Sequence, residues 1–269
     1  MEKSLAKRLI IICIYLALLF LIAYVIYGFL KSDETCFDKI KNQNEEDVDC
    51  GGKCSPCGII KAQSLSVQNS GFVENGRPKE YDAWAIVSNP NNSFGAKSFE
   101  YEIKLKGSSG ETLAQRNGAG FVLPGDRKYI VESNIFSDVS PREIQLEIKE
   151  TEWVEFSNYY EKPNLGIVSK NYRQVNSGAG FSEASGLLRN ETPYDFNVIK
   201  VQVILKDFGG NVVALNSTEM RTVKSGEERE FKSLWINRFS GEVANIEAQA
   251  EINIFESEAF IKNAAADKK

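Results

Sequence analysis

Three different arrangements of apolar and polar residues follow one another along the chain. From Leu9 to Leu30, 22 consecutive residues carry no charge. As a helix, that stretch covers about 33 Å, enough for a hydrocarbon core of about 30 Å. Between Cys36 and Cys57 the apolar run gives way to cysteines, acids and glycines. Beyond Gly58 come short alternating runs separated by Gly, Asn, Pro and Ser, with no long 3.6-residue period, which predicts strands. Phe99, Tyr101, Ile103 and Leu105 alternate with Glu100, Glu102, Lys104 and Lys106. Such a run predicts a strand with one buried face. Ile199, Val201, Val203 and Leu205 alternate with Lys200, Gln202 and Ile204 in the same way.

The alternating region repeats itself. Ala85–Asn89 aligns with Gly186–Asn190 at a shift of 101, and Leu123-Pro-Gly-Asp126 aligns with Lys224-Ser-Gly-Glu227. Each of those turns leads into a strand, containing Tyr129-Ile130 or Glu230-Phe231. Each half closes on an alternating run, Ile144, Leu146 and Ile148, then Ile246, Ala248, Ala250, Ile252 and Ile254. The expected architecture is all-β: two tandem immunoglobulin-like β-sandwich domains at 60–159 and 166–257, joined around Ser157–Leu165. Residues 258–269 read as a polar tail.

The first apolar run reads as an uncleaved transmembrane helix, 9–30, behind a cytoplasmic stub, 1–8. Lys3, Lys7 and Arg8 precede it, whereas Lys31 is followed at once by Asp33 and Glu34. By the positive-inside rule the bulk of the chain lies outside a single-pass cell-membrane anchor. A cleaved signal peptide fits less well, because the run is long and ends without an A-x-A site. A lipoprotein would need a small residue before Cys13, where Ile12 stands.

Net charge is −5, a mildly acidic balance that disfavours nucleic acid as a partner. The chain has no histidine. That removes the commonest general base and the usual partner of a Ser or Cys nucleophile, so no enzymatic activity and no catalytic residue are expected. Trp84, Trp153 and Trp235 stand among apolar neighbours and read as packing residues, not as a sugar-stacking platform. Asn91, Asn190 and Asn216 head N-x-[ST] triplets, acceptor sites where a host glycosylates.

Cys36, Cys50, Cys54 and Cys57 fall within a segment, 32–59, too short to bury a core of its own. They could hold one Zn²⁺ as thiolates, but the expected location outside the membrane favours two disulfides. Four cysteines allow three pairings, which the spacing does not decide. The preferred one is interleaved, Cys36–Cys54 with Cys50–Cys57. A Cys54–Cys57 bridge would close a very tight loop, although Pro56 could support it. The segment resembles a short module of surface proteins, C-x-D-G-x-x-N-x-x-E-x-x-x-D-C-G-G-x-C-x-x-C. It keeps Cys36, Asp38, Asn42, Glu45, Asp49, Cys50, Gly51, Gly52, Cys54 and Cys57, with Lys39 in place of the glycine. The resemblance implies an exported protein and no one activity. Asp38, Asn42, Asp47 and Asp49 bring hard oxygen ligands into the loop and are candidate calcium ligands, against the simpler reading that they keep it soluble. No other cofactor is expected.

The order of strands and turns resembles the FxLYD and LEA14-like sandwich families, most clearly at GLLRNETPYDFNVIKVQVILKDFGGNVV followed by VKSGEEREF. Lys206-Asp207 stands where those families have YD. The resemblance implies a non-catalytic envelope module. Together these features predict a membrane-anchored extracytoplasmic interaction or scaffold protein that presents its sandwich domains to another envelope or surface component. An accessory subunit of a pilus, secretion or transporter assembly is the alternative. A cell-wall or polysaccharide enzyme is the least supported.

Overall fold

The structure is a computed structural model that describes residues 13–22, 24, 35–42, 44–54, 56–60, 62–156, 161–175 and 180–261. It divides into two compact units, Met1–Ile60 and Lys61–Lys269. In the first, residues 13–22 are helical and exposed. Among the described residues no helix is long and apolar enough to cross a membrane. Much of the expected span 9–30, and the stub 1–8, lie outside them. A one-turn helix, Cys57–Ile60, closes the cysteine module.

The second unit is built from twelve strands: β1 (Ser66–Glu74), β2 (Glu80–Ser88), β3 (Phe94–Lys106), β4 (Thr112–Val122), β5 (Arg127–Phe136), β6 (Glu143–Glu155), β7 (Leu165–Gln174), β8 (Ser182–Asn190), β9 (Phe196–Lys206), β10 (Val212–Val223), β11 (Glu228–Trp235) and β12 (Asn245–Glu251). They form four three-stranded sheets ordered β4-β3-β6, β1-β2-β5, β10-β9-β12 and β11-β8-β7. All pairings are antiparallel. The first two sheets share a core of Ala83, Ala85, Val87, Phe99, Ile103, Leu105 and their neighbours. The last two enclose Ala184, Leu188, Ile199, Val201, Val203, Leu205 and Phe231. The alternation read in β3 and β9 thus points these side chains inward.

A third apolar layer was not foreseen. Trp84, Ile204 and Leu215 are buried together, with Val73, Ile86, Tyr129, Val131 and Val212 packed around them. These residues lie on the outer faces of β1-β2-β5 and β10-β9-β12, so the four sheets stack and the two inner ones are covered on both sides. Ile204 marks this in the sequence. It falls on the polar side of the β9 alternation, because that side faces the other half of the chain.

The repeat has a physical cause. Asn89 and Asn190 are buried, at 1% and 0% exposure, and each ties three segments together. Asn89 Nδ2 donates to the carbonyls of Phe94 (2.7 Å) and Leu123 (3.2 Å). Asn190 Nδ2 donates to Tyr194 O (2.8 Å) and Lys224 O (2.9 Å). Each Oδ1 accepts the amide two residues on, from Asn91 (3.0 Å) and Thr192 (3.1 Å). The end of one strand, the start of the next and the turn before β5 or β11 are thereby pinned at one point. A buried amide left without partners is costly, so each buried asparagine needs its turn and each turn its asparagine, which accounts for both recurring at the same spacing.

Outside the stack, the faces are paired charge. On β4-β3-β6, Lys104 bridges Glu102 (2.8 Å) and Glu147 (2.9 Å), and Lys149 joins both carboxylates. The two ammonium groups hold the Glu147 carboxyl down at about 2. On β11-β8-β7, Arg173 pairs with Glu183 (3.1 Å) and Arg189 with Glu228 (2.5 Å).

Asn190→Ala should lower the stability of the second unit by about 2 kcal/mol, because the buried and part-buried hydrogen bonds made by a fully buried amide are lost at once. Denaturant titration followed by tryptophan fluorescence reads this as a lower midpoint. Since the third layer couples the halves, one shifted transition is expected, not two separated ones.

Candidate functional site

The cysteine module is held by Cys36–Cys54 and Cys50–Cys57, the interleaved pairing. With these four thiols oxidised, none of them is a thiolate that could ligate zinc. Among the described residues, the groups brought within 4.8 Å in metal-binding fashion are Cys36, Glu45 and Cys54, two of which form the disulfide. Of the calcium candidates, Asp38, Asp47 and Asp49 accept from the loop's own donors, and Asn42 donates to Asp38. Asp38 accepts from Ile40 N (2.9 Å), Asn42 Nδ2 (2.8 Å) and Thr35 N (3.3 Å). Its carboxyl is held below the usual aspartate value, first by Asn42 and then by the Ile40 amide. Asp49 accepts the Lys39 amide with both oxygens (2.9 and 3.1 Å). The Asp47 carboxylate accepts from its neighbour Val48 N (2.9 Å). The fold therefore brings Asp38 to Asn42 and places Asp49 against Lys39.

Glu45, kept in the module's pattern but not foreseen as a site residue, proves central to the loop. It is 5% exposed, and its Oε2 accepts from Asn42 N (3.2 Å) and Asp49 N (3.1 Å). Lys39 adopts φ +61°, so the sharp turn forms without the glycine. Gly51, at φ +80°, has no such latitude, since an added Cβ would lie 2.6–2.7 Å from Glu46. A side chain in the left-handed region costs about 1–2 kcal/mol, against about 0.5–1 kcal/mol of extra chain entropy for glycine. Lys39→Gly should therefore stabilise the loop by up to about 1 kcal/mol. Amide exchange over 39–50 should slow by about fivefold at most.

The other singled-out residues are structural. Trp84 packs in the third layer, Trp153 against the first core and Trp235 in the second. Trp235 Nε1 donates to Leu215 O at 3.1 Å. In the three triplets the asparagine nitrogen already has an internal acceptor: Gln63 O for Asn91 (2.7 Å), the two carbonyls above for Asn190, and Leu234 O for Asn216 (2.9 Å). A glycan on Asn190 is incompatible with its burial.

A run of polar contacts lies along the seam between the two inner sheets. Lys128, reaching from β5, pairs with Glu251 of β12 at 2.7 Å, both side chains 9% exposed. Its ammonium also sits 3.8 Å above the Phe121 ring. Burial pushes the Lys128 ammonium below the usual lysine value, opposed by the Glu251 charge. Gln249 spans the seam by accepting from Tyr129 N (3.0 Å) and donating to Arg127 O (2.7 Å). Tyr129 OH donates to Glu247 (2.7 Å), which also pairs with Lys206 (2.6 Å). At one end of the seam's second half, a cleft of about 540 Å³ opens between residues 161–164 and 191–194, floored by Phe196, Ile254 and Phe260. Tyr194 stands at its rim, 48% exposed, edge-on to Phe260 at 5.5 Å.

Burial works against the Glu247 charge, but Lys206 and Tyr129 outweigh it and hold the carboxyl below its ordinary 4.5. A depressed carboxylate contributes stability above its unfolded value and loses it as pH falls toward the folded one. Acidification below 4.5 should thus loosen the seam. In thermal melts across acidic pH, Glu247→Gln should show a shallower acid-side fall in stability than the unchanged chain.

No family model matches the chain, and no curated protein matches it. Among solved structures it is similar to the calcium-binding domain CBD12 of CALX1.1, at 11% identity over 62% of this chain and 76% of that one, with a TM-score of 0.19. An overlap that loose carries no argument.

Proposed function

We propose that this is a single-pass, membrane-anchored extracytoplasmic protein that presents two immunoglobulin-like sandwiches to another component of the envelope or cell surface. The observation that carries this reading is the seam. A shared apolar layer and a buried ion pair hold the two halves face to face, fixing the distance between their free surfaces. That geometry suits presentation and spacing. The uncharged run 9–30 behind Lys3, Lys7 and Arg8 supplies the anchor, and the cysteine module between them a short, covalently closed spacer. Without histidine, the chain lacks the usual proton-transfer group, in keeping with a binding role.

A membrane-impermeant amine crosslinker applied to intact cells tests both parts. Lysines in residues 61–261 should be modified, and the chain should be joined to a second envelope protein. Modification only after lysis would overturn the topology. Modified chains that are never joined to a partner would overturn the interaction role.

A further inference from the structure

One cavity on the seam departs from the acidic balance of the chain. It measures about 420 Å³ and opens where the edges of β5, β7 and β12 meet. Its lining includes four cations, Arg127, Lys128, Lys170 and Lys206, but one carboxylate, Glu247. Two of the cations are already satisfied: Lys128 pairs with Glu251 and Lys206 with Glu247. Arg127 and Lys170 are exposed and make no ion pair among the described residues. Lys170 nonetheless lines the cavity together with Glu247.

The backbone is shaped to bring these two groups there. β7 is irregular between Val168 and Asn171, with Ser169 at φ +55°, and bulges of this kind re-aim the neighbouring side chain. Across the cavity, Gln249 clamps the Arg127 carbonyl, which fixes the base of that side chain. Tyr129 and Ile86 form an apolar wall beside the charges. A guanidinium fork matches the paired oxygens of phosphate or carboxylate, and an ammonium adds a point charge.

We propose that this cavity binds an anionic sugar-sized ligand carrying a phosphate or carboxylate group, gripped by Arg127 and Lys170 with its ring against Ile86 and Tyr129. The cavity exceeds what a lone phosphate would fill, and its mixed lining suits a polar ring with one charged substituent.

Isothermal titration of the full chain in neutral detergent tests this, with glucose 6-phosphate, glucuronate and uncharged glucose at matched ionic strength. Saturable binding of at least one anion is expected, with none of glucose. Preference for the phosphate would point to phosphorylated ligands, preference for glucuronate to acidic glycans. The double variant Arg127→Gln/Lys170→Gln should weaken binding at least tenfold, whereas Arg173→Gln, on the same β7 but paired with Glu183 and outside the cavity lining, should leave it unchanged. Both sites are exposed, and an unaltered melting curve would show that the double variant folds. No saturable heat with either anion, equal binding of glucose, or wild-type affinity in the double variant would overturn the proposal.

Discussion

Burial of Trp84 against Ile204 and Leu215 is the contact on which the rest of the second unit depends. It covers faces of two sheets that would otherwise meet water. A tryptophan and two branched aliphatic residues are worth several kcal/mol when buried. Once that layer forms, Lys128 and Glu251 are carried out of water together, and their desolvation has to be met by each other. Gln249, Tyr129 and Glu247 then fall within hydrogen-bonding reach across the same line. The cationic cavity follows too, because this packing brings β5 of the first half to β7 and β12 of the second.

The strands were legible because burial on one face leaves a period of two, and β3 and β9 carry it plainly. Asn89 and Asn190 were visible as repeated letters, but their meaning, a side chain replacing backbone donors for two carbonyls, needed coordinates. The sandwich pair reads in the sequence as beads joined at 157–165. What the alternation could not express was a strand covered on both sides, although Ile204 on the polar side of β9 was a faint sign of it. The uncharged run 9–30 remains a property of the sequence.

Site residues were less legible, for a related reason. In the cysteine module the acids drew attention as ligands, yet their oxygens receive the loop's own amides, and Glu45, the most enclosed of them, looked like one acid among many. A short module without an apolar core must satisfy its backbone with side chains, and carboxylates are the strongest acceptors available. Arg127, Lys170 and Lys206 lie far apart in sequence on strands that pattern alone does not place side by side.

The seam joins unlike surfaces: β1-β2-β5 of the first half meets β10-β9-β12, whose counterpart in the first half is β4-β3-β6. Such a head-to-tail contact does not close on itself and, repeated between molecules, would build an open fibre. The strand pairings show what stops it. Where the buried β9 face has Gln202 and Ile204, the free β3 face has Glu102 and Lys104. Where β2 and β5 bury Trp84 against Val131, β8 and β11 present half-buried Ser185 beside exposed Lys232. The two ends of the stack thus bear charge at the very positions that would have to be greasy for further sheets to add. The stack is held to four sheets by the charges on its own outer faces.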